Sequence, residues 1–262
     1  MGQTFQTLDF SIRDRVAAVR FTTPQQLNSI DEPRLADLRA VVEAVKADEE
    51  IRALTLTGEG KAFCVGLNYD LLQKAFDDIT YFESVVRRFN DILLDLESLP
   101  VPVIAAVNGY ARAGGIELAL ACDFILIADE AKIGDVHAQY GVMPGGGATQ
   151  RLPRRVGEQQ AKALIFMAHW LTGSEAAACG LALRSVPLAV LPGAVETMLE
   201  TLRHRPRALS AVLKRTIHAA RHLEGRAGIE FETREFVRYM GQEPYGREGY
   251  RASLERRDPS WY

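Results

Sequence analysis

The chain is poor in cysteine and has no large excess of charge of either sign. Its 262 residues include three cysteines, Cys64, Cys122 and Cys179, whose spacing matches neither a metal site nor a disulfide framework. The formal net charge of -3 gives no electrostatic reason to expect nucleic acid or an anionic membrane as a partner. We therefore expect reduced structural thiols, no bound metal and no nucleic-acid partner.

Long apolar runs are also missing from the sequence. No apolar segment approaches the length needed to cross a bilayer, and the first residues lack the basic and then apolar stretch of a secretory signal. These features favour a cytoplasmic protein without a membrane span. Hydrophobic residues make up 47% of the chain, which allows a sizeable core in one large domain or two small ones.

Strand and helix patterns alternate through the first part of the chain, and helices dominate from about Gly157 onward. A strand pair around a turn at Arg13–Asp14 is indicated by the alternation in TFQTLDFSI and RVAAVRFT. Buried strands are predicted for ALTLTG, VPVIAAV and FILIADE, and an amphipathic helix capped by Asp31 is predicted for the segment that begins NSIDEPRLADL. The predicted class is therefore α/β (α+β), with a mixed first part and a helical last part.

Two glycine-containing segments follow predicted strands and indicate a site built from backbone amides. In NGYARAGGIELALACDF, Gly114 and Gly115 stand at the start of an apolar helix, whose first amides lack intrahelical partners and favour negative charge. The segment GKAFCVGLNYD repeats this order of strand, glycine and helix start. Amides from both segments could meet at one oxygen and form an oxyanion hole. Alternatively, the glycines only permit tight packing between elements.

Five segments that span most of the chain occur in the order of one known family: LTGEGKAFCVGLNYD, PVIAAVNGYARAGGIELALACDFILIADEAKIG, GVMPGGGATQRLPRRVG, LTGSEAAACGLA and EGYRASLERRDPSW. Through them the chain resembles the crotonase superfamily, the enoyl-CoA hydratases and isomerases. The resemblance implies a core at residues 1–195, built as a spiral of ββα turns, and a C-terminal helical region at residues 196–262 that mediates trimerisation and covers the active site. It also implies a homo-trimer or hexamer, an acyl-CoA thioester as substrate, and no separate cofactor, because CoA is part of the substrate.

The resemblance further implies roles for individual residues. The thioester oxygen would lie between the backbone amides of Leu67 and Gly114, which would stabilise an enolate. Glu117 matches one of the two catalytic glutamates of hydratases, and the amide of Gly145 would help to position the reacting water. Contacts to the substrate are expected from Gln25, Gln26, Leu27, Val65, Leu67 and Asn68.

The chain departs from the hydratase pattern at the second glutamate, where His137 stands. A histidine can donate or accept a proton near pH 7, so Glu117 and His137 could form an acid-base pair. Alternatively, His137 only holds a loop by hydrogen bonds. Asp135, two residues earlier, would share one side of an extended strand with His137 and is a further candidate for acid chemistry or for substrate contact.

Arg112 is a second unusual residue, because small residues are common at this position in the family. It could bind a substrate carboxylate or CoA, or it could form a surface salt bridge.

The resemblance favours an enoyl-CoA hydratase, a lyase that adds water reversibly to a 2-enoyl-CoA. An enoyl-CoA isomerase or a β-keto C–C hydrolase would use the same oxyanion hole. A non-catalytic acyl-CoA-binding protein is the alternative of a different class. The identity of the acyl group and the metabolic pathway stay open at this stage.

Overall fold

The computed structural model describes residues 4–261, so residues 1–3 and 262, at the ends of the two predicted regions, lie outside the described residues. The strands are β1 (Leu8–Arg13), β2 (Val16–Phe21), β3 (Ala53–Gly58), β4 (Ala62–Cys64), β5 (Val103–Val107), β6 (Tyr110–Arg112), β7 (Phe124–Ala128), β8 (Lys132–Gly134), β9 (Leu171–Thr172) and β10 (Arg184–Val186). The helices are α1 (Glu32–Ala47), α2 (Tyr69–Asp77), α3 (Ile79–Ser98), α4 (Gly114–Leu120), α5 (Ala148–Val156), α6 (Glu158–Phe166), α7 (Gly173–Ala178), α8 (Leu191–Leu202), α9 (Arg207–Ala219), α10 (Gly225–Gln242) and α11 (Tyr245–Glu255).

The strands form two sheets between which the chain alternates. The larger sheet has the order β1-β2-β3-β5-β7-β10, and the smaller has the order β4-β6-β8-β9. Pairing is antiparallel between β1 and β2 and between β8 and β9, and the other pairs are parallel. Each turn adds one strand to each sheet and then a helix, as in β3-β4-α2, β5-β6-α4 and β7-β8-α5. This arrangement confirms the predicted α/β (α+β) class and the spiral of ββα turns.

The apolar patterns read from the sequence form the core. Helix α1 buries Leu35, Leu38, Val41, Val42 and Val45 along one face. Its first turn is capped by Asp31, whose side chain accepts a hydrogen bond from the Arg34 N–H at 2.9 Å, as predicted. The strands β5 and β7 are buried almost throughout, as expected for parallel strands covered on both faces.

Two short strands in the second half of the chain differ from the helical prediction. Strand β9 pairs with β8, and β10 pairs with β7 at the edge of the larger sheet. They have two and three residues, which is too short for an alternating pattern to be visible in the sequence. The division at residues 195 and 196 stays a prediction, and both residues lie within α8. In the described part of the chain, no helix combines the length and the apolar character needed to cross a membrane.

Gly115 has a packing role. A Cβ atom built on Gly115 would lie 1.9 Å from the carbonyl oxygen of Cys64, because the first turn of α4 rests directly on β4. The packing interpretation of the glycine pair therefore holds for Gly115. At Gly114, the nearest atom to an added Cβ is the Cα of Gly66, at 3.0 Å. The second glycine segment thus packs against the first.

We predict that Gly115→Ala lowers the free energy of unfolding by about 1–3 kcal/mol, the usual cost of overpacking. The added methyl group must push α4 away from β4 to relieve the clash. The control is Gly193→Ala in α8, where an added Cβ meets no atom within 4 Å. Urea unfolding followed by circular dichroism measures both variants. Equal stability of the two would contradict the packing of α4 on β4.

Candidate active site

The carboxyl ends of β4, β6 and β8 meet at one edge of the smaller sheet. The strands are parallel neighbours, so the residues that follow them lie side by side. A cavity of about 780 Å³ opens there, lined by residues from all three connections. In open α/β sheets, ligands bind in the crevice at the carboxyl ends of the strands.

Most of the residues predicted from the sequence line this cavity: Gln25, Gln26, Leu27, Val65, Leu67, Asn68, Gly114, Glu117, His137 and Gly145. They come from four separate stretches of the chain, which the fold brings together. The wall beside them is apolar and includes Phe82, Val86 and Phe89 of α3. Among residues 4–261, no group of three or more side chains suited to holding a metal ion lies together.

The backbone around Leu67 leaves its amide free for a ligand. Ile30 pairs with this segment through its N–H, which donates to the Gly66 carbonyl at 2.8 Å, and through its carbonyl, which accepts from the Asn68 N–H at 2.9 Å. These bonds use the groups on either side of Leu67, so the Leu67 N–H points away from Ile30. In residues 4–261, this N–H has no hydrogen-bond partner.

The second free amide belongs to Gly114, the first residue of α4, whose N–H lacks an intrahelical acceptor. The preceding residue, Ala113, has φ 48° and ψ -123°, a conformation that residues with side chains rarely adopt. Gly66, at φ +85°, lies against this amide: a Cβ on Gly66 would be 2.7 Å from the Gly114 nitrogen. The two segments therefore hold the amides of Leu67 and Gly114 close together at the cavity.

Glu117 is one helical turn beyond Gly114 and is only 2% exposed. Its Oε1 accepts hydrogen bonds from the N–H of Gly146 at 2.7 Å and of Ala148 at 3.1 Å. Burial raises the pKa of Glu117 to about 7, although the charge of His137 and these two N–H groups lower it. A carboxyl with this pKa can exchange a proton near neutral pH.

The glycine loop that holds Glu117 is itself fixed through its carbonyl groups. The side chain of Asn90 donates to the Gly145 carbonyl at 2.8 Å, and Arg151 donates to the Gly146 carbonyl at 2.7 Å. Arg151 also pairs with Glu97 at 3.1 Å, where both side chains are 11% exposed. With the carbonyls of Gly145 and Gly146 bound on the outside, the amide of Gly146 is held towards Glu117.

His137 forms a close pair with Asp135. The Nδ1 atom of His137 lies 3.0 Å from Oδ1 of Asp135, and the His137 N–H donates to the same oxygen at 3.3 Å. The expectation of a shared strand face was wrong in its geometry, because β8 ends at Gly134 and His137 begins a short 3₁₀ helix. The contact forms across this tight turn instead.

Asp135 does not contact the cavity, which corrects its prediction as a substrate-binding residue. Its side chain is fully buried behind His137, and its Oδ2 has no hydrogen-bond partner in the described residues. Burial lowers the pKa of His137, but the hydrogen bond and charge of Asp135, together with the charge of Glu117, raise it above its ordinary value. Because Nδ1 faces Asp135, Nε2 is the ring nitrogen left for the cavity.

Sequence reasoning missed the residues that position these groups. Asn90 and Arg151 gave no local signal, because Asn90 is 55 residues away in the chain from the glycine whose carbonyl it binds. Ala113 also gave none, since alanine is not associated with a positive φ. Gly66 was visible as a glycine between a strand and a helix start, and its positive φ is the property that a glycine there could have indicated.

Comparisons with known proteins identify the family of this chain. The family model of enoyl-CoA hydratase/isomerase matches residues 11–262. A probable mitochondrial enoyl-CoA hydratase of Dictyostelium discoideum is 31% identical over 250 residues, which are 95% of this chain and 88% of the relative. The mitochondrial methylglutaconyl-CoA hydratase of Homo sapiens is 41% identical over 155 residues, which are 59% of this chain and 45% of the relative.

Among solved structures, the enoyl-CoA hydratase of Bacillus anthracis superposes with a TM-score of 0.92 at 29% identity, covering 98% of this chain and 99% of that one. The chain therefore belongs to the enoyl-CoA hydratase/isomerase family, with its crotonase fold and an enoyl-CoA hydratase type of function.

Proposed function

We propose that the protein adds water reversibly to a 2-enoyl-CoA thioester, with Glu117 and His137 as the acid-base pair. The observation that carries this proposal is the pairing of two groups at one cavity. A buried carboxyl with a pKa of about 7 and a histidine with a raised pKa each influence the other's pKa. Groups of this kind transfer protons near neutral pH.

The amides of Leu67 and Gly114 bind the thioester oxygen. As water attacks C3 of the enoyl group, electron density moves through C2 to this oxygen, which becomes an enolate. Two N–H groups that are already oriented stabilise the new charge without rearranging. The segments at Gln25–Leu27 and Val65–Asn68 line the same cavity and hold the CoA portion of the substrate.

Glu117 takes the proton from the attacking water. Its Oε1 is occupied by the N–H groups of Gly146 and Ala148, which leaves Oε2 as the base. The amide of Gly145, which lines the cavity, donates a hydrogen bond to the water. The water oxygen then bonds to C3, and its proton moves to Glu117.

His137 completes the addition by giving the proton on Nε2 to C2, and the thioester carbonyl forms again. Asp135 holds the ring through Nδ1 and stabilises the protonated imidazole before transfer. After one turnover, Glu117 carries a proton and His137 is neutral. Transfer of that proton from Glu117 to His137 restores the starting state.

Several broader features belong to the same proposal. The relatives named as hydratases favour water addition over double-bond migration or C–C hydrolysis. Coenzyme A enters as part of the substrate, so the proposed reaction needs no separate cofactor. A homo-trimer or hexamer, a role in fatty acid metabolism and a cytoplasmic location remain predictions.

We predict that the protein consumes crotonyl-CoA and that Glu117→Gln and His137→Gln lower kcat by about 10²–10⁴-fold, the usual contribution of a general acid or base. Loss of the conjugated enoyl absorbance measures the reaction. Calorimetry with butyryl-CoA, which cannot be hydrated, checks that both variants still bind. Tight binding of butyryl-CoA by a wild-type protein that leaves crotonyl-CoA unchanged would favour the non-catalytic alternative.

We predict a bell-shaped pH profile of kcat/KM. Activity falls as the pH drops through the pKa of Glu117, about 7, because the carboxylate takes up a proton. It also falls as the pH rises through the raised pKa of His137, because the imidazole loses the proton that it must donate. The two groups are coupled, so the apparent values belong to the pair.

Asp135→Asn tests whether the alkaline limb of the pH profile belongs to His137. Removing the Asp135 charge lowers the pKa of His137, so the alkaline limb moves to lower pH. The profile of the variant is compared with that of the wild type under identical salt and substrate conditions. An alkaline limb that stays in place would show that His137 is not the group that titrates there.

We predict that Gly66→Ala lowers kcat by about 10²-fold or more, the cost of losing one oxyanion donor. The added methyl group would lie 2.7 Å from the Gly114 nitrogen, and the positive φ of Gly66 adds strain. Gly193→Ala is again the control, and circular dichroism confirms folding. Full activity in the folded Gly66→Ala protein would contradict the two-amide site.

A further inference from the structure

Arg112 places a positive charge at the cavity. It is the last residue of β6, pairs in register with Gly134 of β8, and stands two residues before the oxyanion amide of Gly114. Its side chain is partly buried and lines the cavity together with Glu117 and His137. The cavity that contains Glu117 and His137 is therefore also lined by an arginine.

Arg112 has neither an ion pair nor a hydrogen bond with any residue that the structure describes. The surface salt bridge considered for it is therefore not formed. Other partly buried arginines are satisfied within the protein. Arg151 pairs with Glu97, and Arg155 donates to the carbonyls of Leu120 and Cys122.

Neither the cavity residue Glu117 nor the buried Asp135 serves as a partner for Arg112. Glu117 accepts hydrogen bonds from the Gly146 and Ala148 amides, and Asp135 holds His137. A guanidinium group binds a carboxylate through two parallel hydrogen bonds. Because no described residue provides that carboxylate to Arg112, a ligand can provide it.

We propose that Arg112 binds a carboxylate on the acyl chain, so that the preferred substrate is a short 2-enoyl-CoA whose chain ends in a carboxylate. Arg112 lines the same cavity as the amides of Leu67 and Gly114 and stands two residues before Gly114, so a short acyl chain is the one whose terminal carboxylate would meet it. The preferred hydration of such a substrate rests on the proposed function. The binding of a carboxylate by Arg112 does not, because an acyl-CoA can bind without being hydrated.

The test compares two substrates of equal length, glutaconyl-CoA and trans-2-pentenoyl-CoA, which differ in a terminal carboxylate or methyl group. The wild type should hydrate glutaconyl-CoA with the higher kcat/KM. Arg112→Leu should lower kcat/KM for glutaconyl-CoA by about 10–100-fold, the value of hydrogen bonds to a charged group, and leave pentenoyl-CoA nearly unchanged. Arg112→Lys, which keeps the charge, should retain part of the preference. Arg13→Leu, at an exposed position at the end of β1, is the matched control.

Two results would overturn the proposal. An equal loss for both substrates in Arg112→Leu would show that the arginine binds a CoA phosphate or supports the fold. Unchanged kinetics of Arg112→Leu with both substrates would show that Arg112 binds neither the acyl carboxylate nor a CoA phosphate.

Calorimetry with glutaryl-CoA and pentanoyl-CoA separates this inference from the proposed reaction, because neither saturated thioester can be hydrated. If the protein hydrates no enoyl-CoA, tighter binding of glutaryl-CoA that is lost in Arg112→Leu would still support the carboxylate site. Equal affinity of the wild type for both thioesters would overturn the carboxylate site, even in an active hydratase.

Discussion

The close contact between the backbones of Gly66 and Gly114 is the constraint on which the rest of the site depends. These glycines belong to different turns of the spiral, and any side chain on Gly66 would collide with the Gly114 nitrogen. The bridge from Ile30 fixes one side of the contact, and the unusual conformation of Ala113 fixes the other. Because both amides are oriented before substrate arrives, they can stabilise an enolate without the free-energy cost of reorganisation.

One short helix connects the proposed oxyanion site to the proposed catalytic base. Helix α4 begins with the Gly114 amide and carries Glu117 one turn later, so their separation is set by helix geometry. The carboxyl group is in turn held by the glycine loop. Arg151 binds that loop and Glu97, and Glu97 also accepts a hydrogen bond from Arg221, just beyond α9, at 3.1 Å. The C-terminal helices are thereby linked to Glu117 through a chain of hydrogen bonds.

A carboxylate and a histidine in one cavity have a different charge balance from two carboxylates. Two carboxylates would repel each other as both ionise, whereas Glu117 and His137 can form an ion pair. The buried Asp135 supplies the negative charge that keeps the imidazole protonated. In the proposed reaction, the group that donates a proton to C2 is therefore an imidazolium held by a carboxylate that does not line the cavity.

Much of the fold could be predicted from the sequence, because long elements carry clear patterns. The apolar face of α1 and the buried strands β5 and β7 were visible in this way, whereas β9 and β10 were too short to show a period. The cavity residues Leu67, Gly114 and Glu117 were found through a family resemblance. Arg151 could not be found, because its contacts depend on tertiary packing.

The backbone geometry after β8 was also not predicted from the sequence. The sequence suggested that Asp135 and His137 share one face of a strand, but the strand ends at Gly134 and a 3₁₀ helix follows. The structure distinguishes the two residues by their burial. Asp135 is fully enclosed, whereas His137 lines the cavity. Neither the end of such a short strand nor the burial of one carboxylate is encoded in a local pattern.

In the proposed reaction, the amides of Leu67 and Gly114 jointly polarise a thioester carbonyl. Infrared difference spectroscopy of bound butyryl-CoA, labelled with carbon-13 at the thioester carbonyl, measures this polarisation directly. We expect the carbonyl stretch to shift to lower frequency on binding to the wild type and this shift to be lost in Gly66→Ala. A bound carbonyl with the same frequency as in free butyryl-CoA would show that the two amides do not bind the thioester oxygen.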